Sequence, residues 1–88
     1  PSSCEVLLIA PPPMELGAGV SDPKALDESR RLACRYKNLA QKLGIRFADA
    51  GIWEVGLAFD GVHFSDMGHR AFAAGIQKTL KQIVSETD

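Results

Sequence analysis

The chain has 88 residues, of which 45% are hydrophobic and 24% are charged, the composition of one ordinary globular domain at most. Ten basic residues against eleven acidic residues give a net charge of -1, so the chain lacks the basic surface of nucleic-acid binders and of proteins that attach to anionic membranes. Its longest apolar stretch, residues 6–13, is far too short to span a bilayer. We therefore expect neither a nucleic-acid nor a membrane partner.

Cysteine usage bears on the cellular compartment. The two cysteines, Cys4 and Cys34, are too few for a disulfide scaffold. Cys4 precedes a predicted strand and Cys34 lies inside a predicted helix, so we expect two free thiols. Free thiols are typical of a reducing compartment, which favours a cytoplasmic location.

The first predicted element is a short strand. Residues 5–10 read Glu-Val-Leu-Leu-Ile-Ala and are almost continuously apolar. Continuous apolarity, unlike alternation, is typical of a strand that is buried on both faces in a parallel sheet. The three prolines at 11–13 end the strand because a proline has no N–H to donate to the ladder. A loop over residues 11–21 follows.

A long amphipathic helix is predicted next. Asp22 can cap the free N–H groups of a helix, and Pro23 suits the first position because no intrahelical bond is lost there. Apolar residues then recur every three to four positions over about twenty residues, with most basic residues on the opposite, solvated side. Gly44 is expected to end the helix. The predicted apolar stripe comprises Ala25 or Leu26, Ser29, Leu32 or Ala33, Tyr36, Leu39 or Ala40, and Leu43.

A second strand and an apolar loop follow this helix. Ile45 and Phe47 alternate with Arg46, which predicts a short strand over residues 45–49. A strand, a helix and a strand in this order imply a parallel pair with a right-handed connection. The loop over residues 50–64 is unusually apolar, so it either folds back over the sheet or lines a pocket.

A final helix completes the predicted elements. Ser65 can cap it, and apolar residues at helical spacing extend it to about residue 85. Two strands do not make a stable open sheet, and both helices have faces that need a wider one. We therefore expect the chain to be one part of a larger α/β layer structure. The apolar positions of the final helix are Phe72, Ile76, Leu80 and Ile83.

The segment from Asp60 to His69 has the residues for hydrolytic chemistry, and it reads Asp-Gly-Val-His-Phe-Ser-Asp-Met-Gly-His. A hydrolytic triad needs a histidine that takes the proton of the nucleophile and a carboxylate that holds the imidazole in the right tautomer. An acid three residues before a histidine, with a glycine between them, allows one short loop to supply both groups.

This segment resembles the last conserved block of the SGNH (GDSL-like) hydrolase family, in which Asp-x-x-His is followed by a hydrophobe, Ser or Thr, two variable residues, Gly and His. The chain matches that pattern at every position. The run Leu-Leu-Ile-Ala-Pro-Pro-Pro at residues 7–13 is similar to the fourth strand of the family and the prolines that follow it. The likeness is greatest to the arylesterase and short-chain acyl-esterase branches, and it covers essentially all 88 residues.

The resemblance implies a fold class and a domain assignment. The expected fold is α/β, the flavodoxin-like three-layer fold of SGNH hydrolases, of which this chain supplies two parallel strands and two long helices. Residues 1–88 are expected to be the C-terminal portion of a single hydrolase domain. The N-terminal portion, with the serine nucleophile and the oxyanion hole, is expected on a separate chain or is missing.

The resemblance also assigns roles to residues. His63 would be the general base of a Ser-His-Asp triad and Asp60 the carboxylate that orients it, in an esterase that cleaves short-chain carboxylic esters without a cofactor. The serine of the family sits in a Gly-Asp-Ser block, which this chain lacks. Ser65 is expected to cap the last helix rather than to act as the nucleophile. Apolar side chains near the histidine are expected to border the substrate pocket. They are Val62, Phe64, Trp53 and Phe59.

Two other functions remain open. Without a nucleophile or oxyanion donors, the chain also fits a truncated, non-catalytic fragment or an interaction module that associates through apolar faces. The second alternative is a metal site, because four side chains that can bind a metal recur every three residues: Asp60, His63, Asp66 and His69. Steps of three residues drift by about 60° each around a helix, so these side chains would converge on one metal only in an irregular segment.

In the family pattern His69 has a structural role. The proline-rich loop resembles loops of arylesterases that shape an access channel or a subunit contact, and the second of these favours an oligomer.

Overall fold

The computed structural model of the protein describes residues 4–87. The predicted order of strand, helix, strand, loop and helix is confirmed, and the final helix ends slightly later than expected. In chain order, the elements are strand β1 (Leu7–Ala10), helix α1 (Pro23–Leu43), strand β2 (Arg46–Asp49), a 3-10 turn (Ala50–Ile52) and helix α2 (Asp66–Thr87).

The two strands form a parallel sheet, in which Leu7 pairs with Arg46 and Ala10 pairs with Asp49. Helix α1 makes the crossover between them and packs against both strands. Such a connection is needed because the like ends of parallel strands lie at the same edge of a sheet. Both carboxyl ends therefore lie at one edge, and the chain leaves both strands there.

Helix α1 begins and ends where the sequence predicts. The Asp22 side chain accepts a hydrogen bond from the Lys24 N–H at 2.9 Å, and Pro23 takes the first helical position. Gly44 ends the helix with a φ of 67°, a left-handed conformation that suits glycine. These caps satisfy backbone groups that a helix end otherwise leaves unpaired.

The predicted apolar stripe of α1 is covered along most of its length. Leu26, Ser29 and Ala40 are buried, as expected for the side of the helix that packs against the sheet. The cover is lost toward the C-terminal end, where Leu39 is 46% exposed and Leu43 is 62% exposed. The stripe is therefore longer than the two-stranded sheet it packs on.

Helix α2 packs on the loop that follows β2. The Phe72 ring lies edge-on to the Trp53 ring, with 5.5 Å between the ring centroids, and 5.2 Å from the centroid of Phe64. Near the other end of the helix, the Glu86 carboxylate accepts a hydrogen bond from the Arg46 guanidinium of β2 at 2.6 Å. The apolar loop after β2 thus covers part of its aromatic surface with α2.

The core of the described residues is small. No large side chain among residues 4–87 is fully buried. Strand β1 is only half-buried over residues 7–9, so the expectation of burial on both faces is not met within this two-stranded sheet. Leu80 of the predicted stripe on α2 is 48% exposed. The fold therefore leaves apolar surface that further elements could cover. The buried apolar residues are Ala10, Val20, Leu26, Ala40, Ala50 and Val55.

The prediction of two free thiols is confirmed, since Cys4 and Cys34 are both unbridged and exposed. The Cys34 sulfur lies 4.0 Å from the Asn38 side-chain amide, one turn further along α1. Neither α1 nor α2 is apolar enough over its length to cross a membrane, and residues 4–87 contain no other candidate span.

Candidate active site

Two segments leave the carboxyl edge of the sheet and meet there. The first, the strap, comprises residues 14–20 after β1, and the second, the site loop, comprises residues 56–65 before α2. Ligands of open α/β sheets bind at this edge, outside the carboxyl ends of the strands. The site loop contains Asp60 and His63, the pair that the sequence singles out.

The site loop is closed by its own backbone. The Ser65 N–H donates to the Gly56 carbonyl at 2.9 Å, and the Ala58 N–H donates to the His63 carbonyl at 2.7 Å. At the tip, the Gly61 N–H donates to the Ala58 carbonyl at 3.0 Å. Gly61 has a φ of 78°, a left-handed conformation that favours glycine in such a turn.

Asp60 is held by hydrogen bonds from the site loop itself. Its Oδ1 accepts from the backbone N–H groups of Val62 and His63, both at 2.9 Å, and its Oδ2 is bonded to the His63 Nδ1. An aspartate that accepts from the backbone two and three residues ahead forms a local turn. The spacing of three residues is thus enough to bring the carboxylate to the imidazole.

His63 presents its second ring nitrogen to solvent. Its side chain is 82% exposed, and no group among residues 4–87 other than Asp60 bonds to the ring. When Nδ1 of the neutral ring donates its proton to the carboxylate, the lone pair lies on Nε2, and this is the tautomer that a general base needs. The ring is therefore oriented by one nitrogen and open at the other.

The surroundings of Asp60 keep its carboxyl group ionised. The hydrogen bond from His63, and then the backbone N–H groups of Val62 and His63, lower the pKa of Asp60 to about 2. Its side chain is only 24% exposed, so the loop covers most of it. A carboxylate that stays charged through the neutral range can stabilise the imidazolium that forms when Nε2 takes a proton.

The strap holds the tip of the site loop by its backbone. A Cβ on Gly17 would lie 2.5 Å from the Phe59 carbonyl oxygen, so the two backbones approach too closely for a larger residue. Sequence reasoning missed this contact, although the glycines of the strap were a signal for it. Three strap N–H groups donate to three successive carbonyls of the loop: Glu15 to Gly61 at 2.9 Å, Ala18 to Phe59 at 3.1 Å and Gly19 to Asp60 at 2.9 Å.

Ser65 caps helix α2, as predicted. Its Oγ accepts a hydrogen bond from the Gly68 N–H at 3.0 Å and donates one to the Gly56 carbonyl at 3.1 Å. The hydroxyl is thus used at the start of the helix, and no serine among residues 4–87 bonds to the His63 ring. The described residues bring together the His63 imidazole and the Asp60 carboxylate, without a hydroxyl in contact with the ring.

The four apolar residues predicted to border the substrate fall into two pairs. Trp53 and Phe64 are half-buried and pack on Phe72 of α2. Phe59 and Val62 are 86% and 41% exposed, and they directly precede Asp60 and His63 in the site loop. The first pair therefore attaches the segment between β2 and α2 to the helix, while the second pair is open to solvent next to Asp60 and His63.

The remaining polar side chains of the motif do not join the pair. The His69 ring lies edge-on to Phe64, with 5.2 Å between the ring centroids. Asp66 is exposed in the first turn of α2. Within residues 4–87, no three His, Cys, Asp or Glu side chains come together as metal ligands. The arrangement of these side chains therefore does not support the metal-binding alternative.

The chain is similar in structure to bacterial esterases. It matches a protein assigned as an arylesterase from Agrobacterium tumefaciens str. C58 with a TM-score of 0.77 and 32% identity, over 90% of this chain and 39% of that one. It matches a carbohydrate acetylesterase family member from Sinorhizobium meliloti with a TM-score of 0.79 and 27% identity, over 96% of this chain and 41% of that one. Another carbohydrate acetylesterase structure from S. meliloti matches with a TM-score of 0.75 and 27% identity, over 90% of this chain and 39% of that one.

These matches confirm the resemblance to SGNH-type esterases that the sequence indicates. No protein-family model and no curated protein matches the chain. The chain spans only 39% to 41% of the length of the solved structures that it matches.

Proposed function

We propose that the chain is the C-terminal portion of a serine esterase and supplies the histidine and the aspartate of its catalytic triad. The observation that carries the proposal is the bonding of the His63 ring, with Nδ1 on the Asp60 carboxylate and the ring otherwise open to solvent. The likeness to an arylesterase and to carbohydrate acetylesterases supports ester cleavage as the reaction class.

In the proposed mechanism, Nε2 of His63 takes the proton of a serine hydroxyl as the serine oxygen bonds to the acyl carbon of the ester. The tetrahedral oxyanion then collapses, the bond to the alcohol oxygen breaks, and that oxygen takes the proton from Nε2. Water repeats the sequence on the acyl-serine: Nε2 takes one of its protons, the carboxylic acid leaves, and the serine regains its hydrogen. Asp60 holds the ring throughout, and its charge balances the imidazolium.

The serine and the oxyanion donors are proposed to lie outside these 88 residues, in an N-terminal segment of the same polypeptide or on a separate chain. Hydrolases of the α/β type place serine before aspartate and histidine along the chain, which agrees with an upstream serine. Residues 1–88 are then the C-terminal portion of one flavodoxin-like, three-layer SGNH domain. The half-buried β1 and the exposed apolar side chains of α1 and α2 support this assignment, because further elements of the domain would cover them.

The proposed substrates are short-chain carboxylic esters. Phe59 and Val62 are exposed beside the acid and the base, so they suit an apolar rim around the acyl or alcohol group. Trp53 and Phe64 pack on α2 and would bound the same pocket from behind. No cofactor is needed, since the triad chemistry runs on side chains and water.

The proposed setting of the enzyme follows from its surface chemistry. The two exposed free thiols favour the cytoplasm. The nearly balanced charge favours a protein without nucleic-acid or membrane partners. Oligomer formation is proposed from the likeness of the proline-rich loop to subunit contacts in arylesterases.

The test uses the full polypeptide, or the pair of chains, that carries this sequence. We expect hydrolysis of p-nitrophenyl acetate and labelling by a serine-reactive fluorophosphonate, and we expect His63→Ala to abolish the hydrolysis. His69→Ala is the matched control, because this histidine is also exposed but its ring packs on Phe64. Unchanged hydrolysis in His63→Ala would end the proposal.

A non-catalytic interaction module is the second candidate, favoured by the large apolar side chains that are exposed on α1 and α2. It predicts no hydrolysis, no labelling by the fluorophosphonate, and association in sizing chromatography. A monomer with a cooperative heat transition would contradict it.

A further inference from the structure

We infer that Gly17 and Ser29 are positioning residues for the Asp60–His63 pair. Ser29 fixes the start of the strap to α1, and Gly17 allows the strap to lie directly against the backbone of the site loop. The inference rests on the proposed esterase function and adds to it a segment far from the motif along the chain. Both residues act through the backbone that carries Asp60, without bonding to the imidazole.

The strap contacts the site loop at Asp60 and its two neighbours. Its three N–H groups donate to the carbonyls of residues 59–61, the tip that has Asp60 at its centre. The side-chain bonds of Asp60 all stay within the site loop, and so do the backbone bonds that close it. Across residues 4–87, the strap is thus the segment whose backbone bonds tie this tip to the rest of the fold.

Gly17 sets the separation between the strap and the tip. A Cβ at this position would lie 2.5 Å from the Phe59 carbonyl oxygen, and 2.8 Å from the Asp60 carbonyl carbon and from the Gly61 nitrogen. All three atoms belong to the backbone, so none can rotate away as the end of a side chain can. Gly17 does not have a positive φ, and alanine adds bulk there without backbone strain. An alanine at position 17 must therefore push the tip away from the strap.

Ser29 connects the strap to the crossover helix. Its Oγ accepts a hydrogen bond from the Met14 N–H at 3.1 Å and donates one to the Leu26 carbonyl at 2.8 Å. The side chain is buried, with 7% of the residue exposed. The helical periodicity of α1 explains why position 29 is buried, but it does not explain why the buried side chain has a hydroxyl. Replacing that hydroxyl leaves the Met14 N–H without its partner and frees the start of the strap.

The consequence is a shift of the whole pair relative to the serine. The bonds between Asp60 and His63 are local, so the pair keeps its internal geometry when the tip moves. A misplacement of about 1 Å can lower a reaction rate about a hundredfold, because the reacting atoms must meet within a narrow range. We therefore expect kcat to fall while KM stays nearly constant.

The experiment compares Gly17→Ala with Ala18→Ser in the full esterase. Ala18 lies in the same strap, its side chain is exposed, and the serine variant keeps the N–H that bonds to Phe59. With p-nitrophenyl acetate, we expect kcat of Gly17→Ala to fall about tenfold to a hundredfold with KM within about twofold, and Ala18→Ser to resemble the parent. NMR titration should still find the pKa of Asp60 near its low value in Gly17→Ala, which a merely unfolded loop would not retain.

Substitutions of Ser29 provide a second test of the positioning role, which can be used if Gly17→Ala does not fold. Ser29→Ala should lower kcat several-fold, and Ser29→Thr, which keeps a hydroxyl, should restore it. The inference is overturned if the folded variants keep the parent kcat while His63→Ala loses activity. If His63→Ala is as active as the parent, the proposed esterase function fails, and the positioning role fails with it.

Discussion

Asp60 uses both carboxylate oxygens within its own loop, Oδ1 on two backbone N–H groups at 2.9 Å and Oδ2 on the His63 ring. Since these partners lie two and three residues away, the acid and the base meet without any contact from a distant part of the chain. The spacing of three residues therefore allows their pairing, and the resemblance to the family motif is what predicts it. The placement of the pair in the fold involves a distant segment, because the strap, more than forty positions upstream, bonds to the backbone that carries Asp60.

Removing the charge of Asp60 should strongly slow the ester hydrolysis that we propose. Asp60→Asn keeps an oxygen for the backbone N–H groups, but its amide cannot stabilise the imidazolium or hold the required tautomer. No other group among residues 4–87 bonds to the ring, so nothing described here compensates. We expect kcat to fall by up to about 10⁴-fold, by analogy with the serine-protease triad. Asp66→Asn, an exposed acid in the first turn of α2, should change kcat little and serves as the control.

The low pKa of Asp60 also predicts how stability depends on pH. Its pKa is about 2 in the folded protein, below the ordinary value of 3.8, so the bonded carboxylate stabilises the fold above about pH 4. This stabilisation should be lost as the pH falls through 4 toward 2, as the carboxylate takes up a proton.

Urea unfolding of the full protein between pH 2 and pH 5 tests this dependence. The free energy of unfolding of the parent should fall with decreasing pH more steeply than that of Asp60→Asn, whose residue does not titrate. Parallel curves for the two proteins would show that the carboxylate is not held as described.

At the scale of elements, helix α2 packs at two places on the segment that connects β2 to it. Ser65 and Gly68 join the start of the helix to Gly56, where a Cβ on Gly68 would collide with the Gly56 backbone. Two turns further along, Gly75 leaves room for the Trp53 ring. The loop that carries the acid and the base therefore rests on one face of a long helix.

For a substitution of Gly75, the sign of the change in the free energy of unfolding tests how Trp53 packs. On a free helix surface, replacing glycine by alanine stabilises by about 1 kcal/mol because alanine is the better helix former. Here the new Cβ would meet the Trp53 ring, so we expect Gly75→Ala to destabilise the full protein by about 1–3 kcal/mol in urea unfolding. Gln77→Ala, at an exposed position of the same helix, should leave the free energy of unfolding nearly unchanged. A more stable Gly75→Ala protein would contradict this packing of Trp53.

At the scale of the whole molecule, two strands carry two long helices and leave much apolar surface exposed. Leu43 on α1 is 62% exposed and Leu80 on α2 is 48% exposed, while β1 is only half-buried. A sheet of two strands is marginal in water on its own. The stability of the segment should therefore depend on whatever covers these surfaces.

Residues 1–88 produced alone should melt without a sharp transition and associate with increasing concentration. The physical reason is that exposed apolar surface is buried from water by association with other molecules when no further strand covers it. Calorimetry and sizing chromatography over a range of concentrations are the measurements. Adding the proposed N-terminal portion should give a cooperative transition and a defined size. A concentration-independent monomer that melts cooperatively by itself would contradict this prediction.

Sequence reasoning succeeded where the causes are local. The caps of α1, Asp22 and Gly44, are predictable because they act within one turn of the helix. The contact of Gly17 with the site loop and the partnership of Trp53 with Phe72 were not predictable. They join residues far apart in the chain, and neither periodicity nor turn chemistry says which loop will lie against which. The same holds for β1, whose continuous apolarity predicts burial but does not say which element provides it.

Acid, turn and base occupy the six consecutive residues 58–63, closed by the Ala58 to His63 hydrogen bond at 2.7 Å. These six residues can move together as a rigid unit. For the proposed serine, the quantity left to adjust is then the distance from its oxygen to the imidazole. In the proposed esterase, a split between the nucleophile and this hexapeptide would keep the acid and the base together on one piece, and reassembly would have to restore the fold around them.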